Sequence, residues 1–171
     1  MIIDSHGPAL SGDRLQVSGS AFFSEGFSAF GQGSRGTIRL PGSSVGADID
    51  FANALIVNES GPAIGMDGVS VTGVLIFRQV TSISGAGDLG AVRFLDAGIR
   101  SQLDLRGASI ENSTGVALAI EGTLSVFMDG DFIAKGSGAP GTVRMSEVSI
   151  GGRLHCFAEQ EARLTLSTGG S

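Results

Sequence analysis

Apolar residues at the first, fifth and seventh places of a seven-residue pattern recur along this chain. The copies run Val17–Phe23, Val45–Phe51, Val71–Phe77, Ile99–Leu105, Val126–Phe132 and Ile150–Cys156, starting 28, 26, 28, 27 and 24 residues apart. The fifth copy is the weakest, with Gly130 at its fifth place. Period-2 alternation within a copy predicts a strand. Scattered glycines leave no long stripe at i, i+3, i+4 and i+7, so helices are not expected.

A longer period overlies this one. Gly7-Pro8-Ala9-Leu10 returns as Gly61-Pro62-Ala63-Ile64 and as Gly115-Val116-Ala117-Leu118, 54 residues apart each time. Thr37-Ile38-Arg39-Leu40 returns 54 residues later as Ala91-Val92-Arg93-Phe94, then 51 later as Thr142-Val143-Arg144-Met145. Three repeats follow (7–60, 61–114, 115–168), each split into halves of about 27 residues. Like strands recurring at that spacing predict an all-β fold, a single-domain parallel, right-handed β-helix of about six coils. Each strand pairs with its equivalent one coil up, about 4.8 Å away. Val17, Val45, Val71, Ile99, Val126 and Ile150 form one inward row on this reading. A sandwich of short strands is the competing fold, but it gives no reason for the fixed offsets.

The glycine- and serine-bearing stretches 25–36, 79–90 and 134–141 are expected to bulge from one side, with Phe27 and Phe30 covering Phe22 and Ile76. Glu159 and Glu161 replace residues equivalent to Ala54, Ile56, Ala108 and Ile110, and read as a cap against further stacking. The N-terminal side shows only Met1-Ile2-Ile3, so a homo-oligomer, a dimer joined through the N-terminal coil, is expected.

Composition narrows the function. Glycine is 28 of 171 residues and proline only 4, while hydrophobic residues make up 42% with mean hydropathy +0.28, which excludes collagen and disorder. Tryptophan and tyrosine are absent, which removes the usual stacking platforms for bases and sugars. A net charge of −6 argues against direct nucleic-acid binding. Cys156 is alone, so neither an intrachain disulfide nor a cysteine zinc site is available. The N-terminus has no signal-peptide pattern and no apolar run is long enough to span a membrane; a cytoplasmic protein is expected.

The segments Val45-Gly-Ala-Asp-Ile-Asp-Phe-Ala-Asn-Ala-Leu55 and Ile99-Arg-Ser-Gln-Leu-Asp-Leu-Arg-Gly-Ala-Ser-Ile110 resemble pentapeptide-repeat and other β-solenoid proteins. They are similar above all to actinobacterial repeat proteins labelled membrane-associated oxidoreductases. The resemblance spans most of the chain and implies coil geometry rather than chemistry. The chain has no G-x-G-x-x-G between strand and helix, no paired cysteines and no cofactor lysine motif, so no cofactor is expected. Some pentapeptide-repeat proteins mimic DNA and bind gyrase, which places a DNA-mimicking resistance protein among the functions to weigh.

A solenoid turns repeats into spatial rows. Arg39, Arg93 and Arg144 share outward parity with Asp13, Asp67 and Glu121 and alternate with them coil by coil. They form either a ladder of surface ion pairs or an arginine strip that binds carboxylates or phosphates. The sixth place of the motif gives a second row, Phe22, Asp50, Ile76, Asp104, Asp131 and His155. The fourth place adds Asp48, Gln102, Asp129 and Arg153 on the same face. Stacked carboxylates raise one another's pKa, which suits acid–base work, so Asp104, Asp131 and His155 are the catalytic candidates, with Arg153 as ligand anchor. Asp129 and Asp131 alone do not make a metal site. His155 and Cys156 are strand neighbours that face opposite sides and form no dyad. Asp4 and His6 read as a frayed terminus, and the N-x-S/T residues Asn58 and Asn112 as turn residues.

Three functions remain. A non-catalytic scaffold or binding module leads. A cofactor-independent enzyme (a polysaccharide lyase or hydrolase, or a natural-product cyclase or isomerase) uses the acidic face and takes a carbohydrate or other small-molecule ligand. The DNA mimic is third.

Overall fold

In the computed structural model every helix or strand element among the described residues is a β-strand, and the chain winds into a parallel solenoid of about five turns. Residues 1–79, 81–123, 125–128, 131–150 and 154–155 are described. The expectation of about six coils is thereby corrected: six stacked rungs enclose about five turns. Every pairing between described strands is parallel, as the repeat spacing demands.

The first sheet stacks Ile2–Ile3, Ser28–Gly31, Leu55–Asn58, Ser82–Gly85, Ser109–Asn112 and Ile133–Lys135. The second stacks Ala21–Phe22, Ile49–Asp50, Val74–Ile76, Gln102–Asp104, Val126–Phe127 and Leu154–His155. The third begins as two rows separated by a corner. Leu10–Ser11, Ile38–Arg39 and Ile64–Gly65 form one row, and Gln16–Val17, Ser44–Val45 and Ser70–Val71 the other. Val92–Ile99 bridges the two, and Leu118–Thr123 and Val143–Ser149 continue above it.

Inward residues form the expected apolar ladders. Val17, Val45, Val71 and Ile99 stand in register, and all but Val17 are buried. At the seventh place of the motif Phe23, Phe51 and Phe77 stack with ring centroids 4.9 and 5.0 Å apart, and Phe94 follows at 6.0 Å. Full burial of such side chains contributes about 1.5–3 kcal/mol each.

Val126 departs from the expected row. It lies opposite Leu103, in the line of Ala21, Ile49, Leu75 and Leu154, so it occupies the fifth place of the motif rather than the first. The turn feeding this strand is short: Thr123 pairs with Gly98 and Val126 with Leu103, so two residues separate them where the coil below has four. Ser149 keeps the line of Thr123 and Gly98, the residue before Ile99, which puts Ile150 at its expected level.

The supposed bulges contain strands. Ser28–Gly31, Ser82–Gly85 and Ile133–Lys135 lie in the first sheet, where Ile2, Ala29, Ile56, Ile83, Ile110 and Ala134 stack in one row. Phe27 packs edge-on against Phe23 at 5.5 Å instead of covering Phe22, which is 70% exposed. The cap residues Glu159 and Glu161, together with Asp129, Arg153 and Cys156, lie outside the described residues.

The 54-residue period has a structural cause at the entry to the third sheet. Gly36, Gly90 and Gly141 sit there with φ of +122°, +125° and +110°, a region open to glycine. Pro62 and Val116 take the corner on the intervening coils. Two corner designs alternate, so every residue placed by the corner recurs at every second coil.

Candidate functional site

The register of the second sheet decides which residues of the acidic face share a row. The sixth-place row runs Phe22, Asp50, Ile76, Asp104, Phe127 and His155. Asp131 is outside it, on the exposed turn leading to Ile133–Lys135, because the register that moves Val126 puts Phe127 beside Asp104. Phe127 therefore separates Asp104 from His155, and acids alternate with apolar residues. The side chain of His155 lies outside the described residues.

Among the described residues, the remaining acids of this face are engaged with the backbone or with arginine. Asp48 Oδ1 accepts the backbone N–H of Val74 on the next coil at 2.7 Å. Asp50 Oδ1 accepts the N–H of Ala52 at 2.7 Å. Asp104 is 1% exposed and takes a two-pronged ion pair from Arg106, Nε to Oδ1 at 2.9 Å and Nη2 to Oδ2 at 2.7 Å. Arg78 adds a cation at 4.0 Å. Burial works against the charged form of Asp104, but the hydrogen bonds and charge of Arg106, with Arg78 beyond, outweigh it and hold the carboxyl below the usual aspartate value. Proton transfer at neutral pH asks for a carboxyl raised toward that pH. Asp104 is shifted the other way. Gln102 lies half-buried opposite Val74. Among the described residues no group of three or more His, Cys, Asp or Glu can hold a metal ion.

At the N-terminus, Asp4 Oδ1 accepts the backbone N–H groups of His6 and Gly7 at 2.8 and 2.6 Å, which lowers the Asp4 pKa. His6 Nδ1 meets the Ser5 hydroxyl at 2.8 Å. This is a closed turn in which Asp4 binds backbone rather than the imidazole. Asn58 and Asn112 are 1% and 2% exposed, structural rather than accessible acceptors.

The arginine row is built as the repeats indicate. Ser11, Arg39, Gly65, Arg93, Ala119 and Arg144 follow one another in register along the third sheet. Arg39 pairs with Asp13 at 2.8 Å, and Arg93 forms an ion pair with Asp67, each acid one coil below. The third rung differs. Among the described residues Glu121 makes no ion pair with Arg144, whose Nε is buried without a hydrogen-bond partner. Asp13 and Asp67 lie on corners, whereas Glu121 lies within Leu118–Thr123, where the pairing shifts register between Ile120 and Gly122.

The alternation of large and small residues hollows the surface. Gly65, between Arg39 and Arg93, lines a cleft of about 190 Å³ together with Ser34, Arg35, Pro41 and Asp67. A second depression of about 140 Å³ shares Ser34 and Arg93 and extends over Gly61 and Leu89. Arg35 was not among the residues singled out by sequence. It lies on a turn rather than at the motif spacing, and only the folding of that turn over Gly65 places it here: its carbonyl oxygen stands 3.3 Å from where a Cβ of residue 65 would be.

Set against models of protein families, curated proteins and solved structures, the chain matches none of them. Among the described residues no helix is long and apolar enough to cross a membrane.

Proposed function

We propose that this chain is a non-catalytic β-solenoid scaffold that acts by binding, and that it self-associates through its N-terminal coil. The observation carrying the reading is the state of Asp104. The most buried carboxylate among the described residues of the acidic face is neutralised by Arg106 and lowered in pKa, while Asp48 and Asp50 cap backbone N–H groups. The likeness to pentapeptide-repeat proteins is then one of coil geometry. Self-association draws on the first coil, whose strands lie at the edge of all three sheets and whose Met1, Ile3, Leu15 and Phe22 are 83%, 64%, 41% and 70% exposed. Unpaired strand edges with apolar side chains favour pairing with another chain.

Two measurements test this. Sedimentation velocity should report a dimer for the native chain and a monomer for Phe22→Asp; a native monomer at high concentration overturns the association. Incubation with a polyuronate should release no unsaturated oligosaccharide. Release that Asp104→Asn abolishes, with the fold intact, overturns the non-catalytic reading.

A further inference from the structure

Resting on the binding-module reading, we propose that the Gly65 cleft is a site for one small oxyanion, a carboxylate or phosphate group, with Arg35 as the cation that captures it.

The charge balance of the cleft runs against that of the chain. The protein carries a net −6, yet three guanidiniums and one carboxylate line this cleft, those of Arg35, Arg39, Arg93 and Asp67. Arg39 and Arg93 stand two rungs apart, about 9–10 Å along the stack at the usual strand spacing. A residue with a side chain at position 65 would fill the space between them. Glycine leaves it open.

The donors exceed the acceptors already present. A guanidinium offers five N–H groups. Arg39 uses Nη2 toward Asp13, and Arg93 uses Nε and Nη2 toward Asp67, so Nη1 of each is outside these pairs. Asp13 and Asp67 also orient the two arginines, whose side chains are only 23% and 19% exposed. Arg35 is exposed, and among the described residues no carboxylate pairs with it. Arginine supplies ten of the eleven basic residues of this chain, the side chain whose planar fork fits carboxylate and phosphate. The cleft is smaller than the roughly 300–1,000 Å³ of drug-sized sites, so it fits an anionic group, with the neighbouring depression over Gly61 and Leu89 left for the body of the ligand.

The test is calorimetric titration of the full chain at low salt with inorganic phosphate and, separately, succinate. Saturable binding of either anion at one site per chain is expected. Heat with phosphate alone assigns a phosphate group, and heat with succinate alone a carboxylate. Arg35→Ala should weaken binding about tenfold, with Arg35→Lys between it and the native chain, because a point charge replaces a fork. Arg100→Ala, an exposed cation outside the cleft, should leave affinity unchanged. Circular dichroism first verifies that each variant is folded. Equal weakening by Arg35→Ala and Arg100→Ala, or no saturable heat with either anion, overturns the site and leaves the scaffold reading standing. Polyuronate turnover would overturn the scaffold reading without touching the cleft.

Discussion

Asn58 and Asn112 stand two coils apart and make the same set of buried hydrogen bonds. Each Nδ2 donates to two carbonyls, those of Gly33 and Pro62 at 2.8 Å for Asn58, and those of Gly87 and Val116 at 2.9 and 2.6 Å for Asn112. Each Oδ1 accepts two backbone N–H groups, from Ser60 and Gly61 or from Thr114 and Gly115. One side chain therefore ties three stretches of corner backbone, and it recurs with the two-coil alternation of the corners that also spaces Arg39 and Arg93.

Asn58→Ala should accordingly destabilise the chain by about 2–3 kcal/mol, since it strands buried donors and acceptors at once. Asn58→Asp should cost at least as much, because it keeps the acceptor while burying a charge against the Gly33 and Pro62 carbonyls. Urea unfolding of both variants checks this, and a cost under about 0.5 kcal/mol would show that water replaces the bonds.

Asp104 sets an acid limit on stability. Its folded pKa lies below its unfolded value, so its contribution is present above the ordinary aspartate pKa of about 3.9 and is lost as pH falls through the folded value. Native stability should decline below about pH 4, and Asp104→Asn should flatten part of that decline while costing about 1–3 kcal/mol at pH 7. Arg106→Ala should cost more than Asp104→Asn, since it leaves a buried carboxylate with the backbone N–H of residue 106 at 3.3 Å and Arg78 at 4.0 Å in place of the two-pronged ion pair. Unfolding curves between pH 3 and 7 separate the three chains.

The motif was legible in the second, third and fourth copies because its apolar places are all core: Val45, Ile49 and Phe51, then Val71, Leu75 and Phe77, then Ile99, Leu103 and Leu105. It misled at Val126 for a reason specific to spacing. From Ile99 to Val126 is 126 − 99 = 27 residues, a full coil by count, yet the short turn makes Val126 the partner of Leu103. Asp131 was carried out of the acidic row by the same slip. The most regular row, Ile2, Ala29, Ile56, Ile83 and Ile110 at steps of 27, was legible only in Ile56 and Ile110, because segments such as Ser28-Ala29-Phe30-Gly31 read as loops by composition. The arginine alternation was readable from the repeats, but not the cleft, which depends on how the turn bearing Arg35 folds over Gly65.

Gln79 offers a gain in stability. It lies in the left-handed region at φ +63°, in a corner position that Asn53 fills at +59° one coil below and Gly107 at +72° one coil above. A left-handed conformation costs a residue with a Cβ about 1–2 kcal/mol, part of which glycine gives back through its freer unfolded chain. Gln79→Gly should raise stability by about 0.5–1 kcal/mol, at the loss of one exposed 3.4 Å hydrogen bond from Asn53. Thermal unfolding of the variant decides it, and a fall in Tm would mean that this bond outweighs the backbone.

Phe51 is the centre of the internal aromatic stack, between Phe23 at 4.9 Å and Phe77 at 5.0 Å, with interplanar angles of 15° and 4°. Parallel pairing forces this geometry: the inward side chains of one row repeat at the strand spacing, so rings in the same place must lie face to face. Phe51→Ala should cost about 3–5 kcal/mol, because both neighbours are fixed to adjacent rungs and close poorly on the cavity. Phe51→Leu should cost about 1–1.5 kcal/mol, as the same row already carries Leu105 one rung above Phe77. A double-mutant cycle of Phe51→Leu and Phe77→Leu isolates the stacking itself, expected at about 0.5–1.5 kcal/mol. Additivity of the two substitutions would mean that the rings contribute only the apolar area they bury, with nothing added by their stacking.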